Sequence, residues 1–171
     1  ARDQLETSIR MFFKEDSPVS VHTLAAAAHE VLWDLAKKNN LRSLLKNNPA
    51  IKREKRKEFY KMITEAENFF KHADRDPGNI LDFSPKATVY FLVDAIEIFQ
   101  QLNTGLKLPP IMALMKAWFQ LENPDMFVHS PQAVQLKAFC DKIGLKALDR
   151  TKFLEWEREF IRMQREELVS S

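Results

Sequence analysis

The sequence has few of the residues on which β-rich and disulfide-bonded proteins depend. Only 3 glycines occur in 171 residues, too few for the many turns of an all-β domain. The single cysteine, Cys140, has no partner for an internal disulfide or a thiolate metal cluster, so the composition gives no sign of an oxidising compartment. Because its segment QLKAFCDKIG shows no activating base, we expect Cys140 to be a half-buried packing residue.

Long apolar runs and the common catalytic signatures are also absent from the sequence. No run approaches the ~20 apolar residues that span a bilayer, and the opening ARDQLETSIR lacks the apolar core of a signal peptide. Neither the phosphate-binding P-loop nor the G-x-S-x-G of serine hydrolases occurs. These absences predict a cytoplasmic protein with no membrane partner and no cofactor.

What the sequence does contain is a helical pattern of apolar residues. Hydrophobic residues make up 45% of the chain and charged residues 29%, a balance that excludes disorder. We expect one all-α domain over residues 1–171, a helical bundle with four core helices in 1–104 and a C-terminal helical extension in 105–171 packed against it. The predicted core helices span about 3–15, 18–38, 50–73 and 85–103, and the shorter ones about 110–121, 131–142 and 150–168.

Apolar residues at helical spacing predict the inner face of each core helix. The second helix carries two neighbouring stripes, one purely apolar and one that includes His22 and His29, so it is expected to be central. Its run of alanines, 25–28, predicts the close approach of a neighbouring backbone. The predicted inward residues are Leu5, Ile9, Phe12 and Phe13 of the first helix, Val21, Leu24, Ala25, Ala28, Val31, Leu32 and Leu35 of the second, and Phe59, Met62, Ile63, Ala66, Phe70 and Ala73 of the third.

Ser-Pro pairs mark three predicted helix starts. In each pair the serine is expected to cap free backbone N–H groups while the proline takes the first helical position. The pairs are Ser17-Pro18, Ser84-Pro85 and Ser130-Pro131.

Positive charge is concentrated in the basic segment, residues 51–61, which reads IKREKRKEFYK. Its six basic and two acidic residues give it a charge of +4, against +2 for the whole chain. The segment predicts a binding surface for nucleic acid or another anionic partner, with Phe59 and Tyr60 as aromatic contacts, or else a solvated helix face. The predicted binding residues of the segment are Lys52, Arg53, Lys55, Arg56 and Lys57.

The stretch AENFFKHADRDPGN, residues 66–79, runs from the third helix into a turn. Asn68 and His72 lie one turn apart on one helical face, and Lys71 and Arg75 stand close to them in sequence. Histidine exchanges protons near neutral pH, and a carboxamide can orient it or bind a phosphate. The stretch therefore predicts a catalytic or binding site at Asn68, Lys71 and His72, with Arg75 as a further binding residue. The alternative is a histidine that interacts favourably with the dipole at a helix C-terminus.

With N-x-x-K-H at the end of the third helix, residues 1–104 resemble the HEPN superfamily of small bacterial α-helical proteins associated with nucleic acids. The resemblance implies a homodimer formed through the motif-bearing face, and an RNA or protein partner. Active HEPN ribonucleases carry R-x4–6-H near one helix end, and at the matching spacing this chain has Glu67, followed by His72 in the histidine position. Glutamate cannot stabilise the negative charge that builds at phosphorus, so arginine-dependent RNA cleavage is not expected.

The histidines also allow a metal site as an alternative. Neither HExxH nor the ExxH of bundle di-metal proteins occurs. The loop DRDPGN does not match a calcium-binding loop, because its glycine comes one position early and Pro85 stands in place of the closing glutamate. Because the apolar stripes of four helices can form a core by themselves, we expect that no metal is needed for folding. The candidate ligands are His22, His29 and His72, with Glu30, Asp74 and Asp76 as further donors.

Two classes of function remain open from the sequence. The favoured interpretation is a non-catalytic binding or accessory protein of HEPN-like architecture, because the histidine is present while the cation needed for phosphodiester chemistry is not. The alternative is a ribonuclease-type enzyme that uses His72, with Lys71 or Arg75 as the compensating cation.

Overall fold

The computed structural model describes residues 1–71, 78, 80–126 and 131–170. These residues form helices, turns and loops and contain no strand, which confirms the prediction of an all-α bundle. No helix in this part of the chain is both long and apolar enough to cross a membrane. The α-helices are α1 (Arg2–Phe13), α2 (Pro18–Lys38), α3 (Arg56–Lys71), α4 (Lys86–Leu102), α5 (Pro110–Glu122), α6 (Pro131–Lys142) and α7 (Thr151–Ser170).

The α2 helix lies at the centre and packs along both α1 and α4. Ala25, Ala26 and Ala28 of α2 are completely buried, and their small side chains let the neighbouring helices approach closely. Larger apolar side chains of α1 and α4 fill the space beside them, as close packing requires. The fully buried members include Leu5, Ile9 and Phe13 of α1 and Leu92, Ile96 and Ile98 of α4.

The C-terminal helices share this core. The α5 helix packs against α1 and α4, and α7 packs against α5 and α1. Phe13 of α1 stacks on Phe153 of α7, with their ring centroids 4.9 Å apart. Trp118 of α5 donates a hydrogen bond from Nε1 to the carbonyl of Ala147 at 3.0 Å, which ties α5 to the chain that leads into α7. Cys140 of α6 belongs to the same core and is 1% exposed, and burial raises the pKa of its thiol.

The predicted inner faces of α2 and α3 need correction in part, although Val21, Ala25, Ala28 and Leu32 of α2 are buried as predicted. Val31 and Leu35 of α2 are 46% and 44% exposed, whereas His22 and His29 of the neighbouring stripe are completely buried. The reason is that α1 and α4 flank α2, which turns the histidine stripe inward and the far edge of the apolar stripe outward. In α3, the supposedly inward Met62 is 62% exposed, because α3 packs mainly against α2 and is covered on one side. Ala73 lies outside the described residues.

The helix starts follow the Ser-Pro prediction only in part. Ser17 caps α2, accepting a hydrogen bond from the backbone N–H of Ser20 at 3.5 Å, and Pro18 takes the first helical position. At α4 the N-cap residue is Pro85 and no side chain caps the helix, so Ser84 does not play the predicted role. Ser130 lies outside the described residues. The α3 helix also begins later than predicted, because Arg53–Lys55 forms a short 3-10 turn ahead of it.

Candidate functional site

The two histidines of α2 line the interface with α4. His22 and His29 are seven residues apart in the sequence, so they project from the same side of the helix. Both are completely buried. Their rings each lie edge-on to Phe91 of α4, with centroid distances of 5.2 Å in both cases. Phe91 therefore contacts both imidazoles, and each histidine finds its polar partner elsewhere.

Each histidine has a polar partner on α4. His22 Nδ1 lies 3.0 Å from Thr88 Oγ1, and Thr88 is 2% exposed. His29 Nε2 lies 2.8 Å from Asp94 Oδ2, and Asp94 is 1% exposed. Since a carboxylate can only accept, Nε2 of His29 carries the proton of this bond. The two contacts satisfy polar groups that would be costly to bury alone.

Asp94 is the centre of a larger buried network. Ser43 Oγ donates to Asp94 Oδ2 at 2.5 Å, and the backbone N–H of Leu44 donates to Oδ1 at 2.7 Å. The N–H of Leu45 adds a longer bond of 3.2 Å to Oδ2. Burial acts to raise the pKa of Asp94, but the hydrogen bonds from His29 and Ser43 outweigh it and hold that pKa below its ordinary value. The carboxylate is thus kept ionised inside the protein.

This network fixes the connecting loop, residues 39–50, against α2 and α4. Gln101 of α4 exchanges two hydrogen bonds with the backbone of Arg42, at 3.1 and 2.9 Å. Lys46 Nζ lies 2.8 Å from Glu30 of α2 and 4.4 Å from the ring centre of Tyr60 on α3. The loop therefore links α2, α3 and α4 immediately before the basic segment.

Asp94, Ser43 and Thr88 were not among the residues singled out from the sequence. One signal was present, because Asp94 stands within LVDAI in a largely apolar helix, and a buried carboxylate requires partners. The identity of those partners was not readable, since His29 and Ser43 are 65 and 51 residues away in sequence. Their chemistry fits a structural role, because the carboxylate accepts from all its neighbours.

The predicted metal ligands do not converge in the described part of the chain. His22 and His29 each use one ring nitrogen on α4, and Phe91 touches both rings. No group of three or more metal-ligating side chains occurs among the described residues. Glu30 is instead paired with Lys46. The remaining candidates, His72, Asp74 and Asp76, lie outside the described residues.

The basic segment lies on the surface, in the 3-10 turn and the first turns of α3. Lys55 pairs with Glu58 at 2.8 Å, and Arg56 Nε donates to the carbonyl of Ile51 at 3.2 Å. Four other cations of the segment are exposed and have no ion-pair partner among the described residues. These four are Lys52, Arg53, Lys57 and Lys61.

The second predicted site begins at the end of α3. Asn68 is exposed, as are Glu65 and Lys61, which lie one and two turns earlier on the same side of α3, so this side of the helix is on the surface. Lys71 is the last residue of α3, and His72 and Arg75 lie outside the described residues. Glu67 is different, because it is only 8% exposed and lies on the inner side of α3.

Comparison with known proteins adds no relative, because no family model, curated protein or solved structure matches the chain.

Proposed function

We propose that this protein is a non-catalytic RNA-binding accessory protein of HEPN-like architecture, and that the basic segment forms its RNA contact. The observation that carries the proposal is the set of four exposed cations without an acidic partner in the described part of the chain. Surface lysines and arginines are usually solvated singly. A cluster of them within ten residues instead concentrates positive potential, which attracts phosphate groups.

The surroundings of the segment favour a rigid contact surface. Lys46 Nζ donates a hydrogen bond to the hydroxyl oxygen of Tyr60 at 3.2 Å and lies 4.4 Å from the centre of the Tyr60 ring. Lys46 is in turn paired with Glu30 of α2. Tyr60 is 45% exposed, so part of a fixed aromatic ring remains open for stacking with an unpaired base. This combination of phosphate contacts and one aromatic surface favours single-stranded RNA.

The absence of catalysis in this proposal rests on Glu67. In active HEPN ribonucleases the arginine of R-x4–6-H acts on the RNA phosphodiester, and losing one such charge-stabilising group costs about 10²–10³ in rate. Glu67 is acidic and 8% exposed, so it neither supplies a cation nor faces an RNA chain on the surface. The HEPN likeness itself rests on α2 to α4 with N-x-x-K-H at the end of α3, and it also implies self-association through the end of α3.

Fluorescence anisotropy with a labelled single-stranded RNA tests the binding proposal. The variant replaces Lys52, Arg53, Lys57 and Lys61 by glutamine, and the matched control replaces Lys14, Lys38, Lys107 and Lys146, four exposed lysines elsewhere. We expect the first variant to bind RNA at least about tenfold more weakly than wild type. The slope of log K against log salt concentration should become shallower by about 0.7 for each phosphate contact removed. The control should retain wild-type affinity.

Three outcomes would contradict the proposal. Equal losses in both variants would show that only the net charge matters, and no binding by the wild-type protein would remove the RNA contact altogether. Tighter binding to polyglutamate than to RNA would identify an acidic protein partner instead. Sedimentation velocity of the wild-type protein tests the self-association separately, since a monomer at micromolar concentration would contradict the implied homodimer.

A further inference from the structure

A cleft of about 660 Å³ opens beside α4, and neither His29 nor Asp94 lines it. It lies between the turn after α1, the start of α4, the end of α5 and Arg150 just before α7. We call it the Trp118 cleft. Its volume is within the ~300–1,000 Å³ typical of small-molecule sites, and its described lining includes no residue of the basic segment or of α3.

Aromatic side chains form the floor and one wall of the Trp118 cleft. Phe12 and Trp118 meet edge to face, with ring centroids 4.8 Å apart. Tyr90 and Phe119 are similarly arranged at 6.1 Å. Tyr90 is 45% exposed, whereas the other three rings are at most 8% exposed. The cleft thus offers a fixed apolar floor and one accessible aromatic face to an apolar group.

Arg150 is held over this floor. Its guanidinium carbon lies 4.4 Å from the ring centre of Phe12 and 5.4 Å from that of Trp118. Contact with two aromatic rings restricts the position of the guanidinium while leaving N–H groups available. A guanidinium fixed in this way is suited to bind a carboxylate through two parallel hydrogen bonds.

The charge of Arg150 is only weakly matched inside the protein. Its Nη1 lies 4.0 Å from Glu15 Oε1, whereas Arg10 and Glu157 approach to 2.6 Å in the same bundle. A separation of 4.0 Å is too long for a hydrogen bond, so Arg150 and Glu15 keep most of their bonding capacity for a third group. A ligand with adjacent opposite charges could satisfy both.

The rest of the rim carries charges of both signs. Lys86 adds a second cation, and Asp16 and Glu122 add two more carboxylates beside Glu15. Three acids against two bases make the cleft a poor site for a polyanion such as a nucleotide phosphate chain or RNA. The same arrangement is complementary to a zwitterion that has an apolar body.

We propose that the Trp118 cleft binds a free amino acid with an aromatic or large apolar side chain. In this arrangement the carboxylate of the ligand pairs with Arg150 and its ammonium group pairs with Glu15. The side chain lies against Tyr90 and the aromatic floor. The site is separate from the RNA contact, so the two proposals stand or fall independently.

Isothermal titration calorimetry with L-phenylalanine tests this site, and the change in intrinsic tryptophan fluorescence, to which Trp118 contributes along with Trp33 and Trp156, is a second readout. Two analogues separate the charges, since phenylpropionate lacks the ammonium group and phenethylamine lacks the carboxylate. We expect each analogue to bind at least about tenfold more weakly than phenylalanine, because each has lost one charged hydrogen-bonding group. No binding of phenylalanine, leucine or tryptophan at millimolar concentration would overturn the proposal.

Variants assign the contacts. Arg150→Gln should weaken phenylalanine binding at least about tenfold. The control is Arg158→Gln, at an exposed position of α7, which should leave the affinity unchanged. Glu15→Gln should weaken the binding of phenylalanine but leave the binding of phenylpropionate unchanged, because phenylpropionate has no ammonium group. If Arg150→Gln unfolds the protein, Arg150→Lys serves instead. It keeps the positive charge but cannot form two parallel hydrogen bonds to a carboxylate, so it should still bind phenylalanine more weakly than wild type. Phenylpropionate binding as tightly as phenylalanine, or unchanged affinity in the Arg150 variants, would overturn the assignment.

Discussion

His29 and Asp94 are joined across the α2–α4 interface by a 2.8 Å hydrogen bond between Nε2 and Oδ2, and neither residue is more than 1% exposed. The same carboxylate accepts from Ser43 and from two backbone N–H groups of the connecting loop. One buried charge therefore holds two helices and a loop together. The loop leads directly into the basic segment, so this contact supports the position of the RNA-binding surface proposed above.

Replacing Asp94 by alanine should lower the free energy of unfolding by about 3–5 kcal/mol, because it leaves His29, Ser43 and two backbone donors buried without their acceptor. Urea denaturation of the purified protein measures the change. Asp125→Ala, at an exposed aspartate, is the control and should remain within about 0.5 kcal/mol of wild type. A loss below about 1 kcal/mol in Asp94→Ala would contradict a structural role for the network.

The contribution of Asp94 should depend on pH in a defined direction. Its pKa is lower in the folded protein than its ordinary value of 3.8, so the unfolded chain takes up the proton first as the pH falls. The stabilisation is therefore complete at neutral pH and is lost progressively below about pH 5. Unfolding free energies of wild type and Asp94→Asn, measured between neutral and acidic pH, should converge as the pH falls. A difference that stays constant would contradict the shift.

The alanine run of α2 offers a matched pair of substitutions. Ala26 is completely buried between neighbouring helices, whereas Ala27 beside it is partly exposed. Ala26→Leu should cost about 1–3 kcal/mol, because the added methyl groups have no space, and Ala27→Leu should cost less than about 1 kcal/mol. Thermal unfolding followed by circular dichroism gives both values. Equal effects would show that α2 is not packed through the face described.

The inward position of Glu67 changes the expected result of restoring an arginine there. Glu67 is only 8% exposed, so Glu67→Arg places a larger cation at a nearly buried position. It should destabilise the protein by about 1–3 kcal/mol. Glu65→Arg, on the exposed side of the same helix, should be nearly neutral in stability. Neither variant should cleave RNA. Strong cleavage by the wild-type protein that disappears in His72→Ala would instead establish the ribonuclease alternative.

Metal removal should leave the fold intact. His22 and His29 already bond to Thr88 and Asp94, and the apolar core of the bundle does not depend on a metal as very small domains do. We expect the same melting temperature with and without EDTA, and no stoichiometric transition metal in elemental analysis of untagged protein. A large fall in melting temperature with EDTA would make the histidines ligands after all.

The extent of the helices could be predicted from the sequence alone because helix formation is governed by local spacing and end signals. The bounds of α2 are an example, since Ser17-Pro18 gives the start and Asn39-Asn40 follows the end. The exposed position of the basic segment could also be anticipated, because adjacent cations cannot be buried together. The start of α3 was less certain, because the stretch after Pro49 forms a turn and a 3-10 segment whose stability depends on contacts beyond it.

The edge of the inward face of α2 was decided only by the tertiary structure, which buries His29 and leaves Leu35 44% exposed. Both of its stripes are apolar enough to be buried, so local spacing could not choose between Leu35 and His29. The packing of α1 and α4 against α2 determines which face is buried. Asp94 of α4 then provides the hydrogen-bond partner of the buried His29. The same is true of the Trp118 cleft, where Phe12, Trp118 and Arg150 come from distant parts of the chain. Periodicity reports on neighbours within a few residues, and it carries no information about which groups meet across the core.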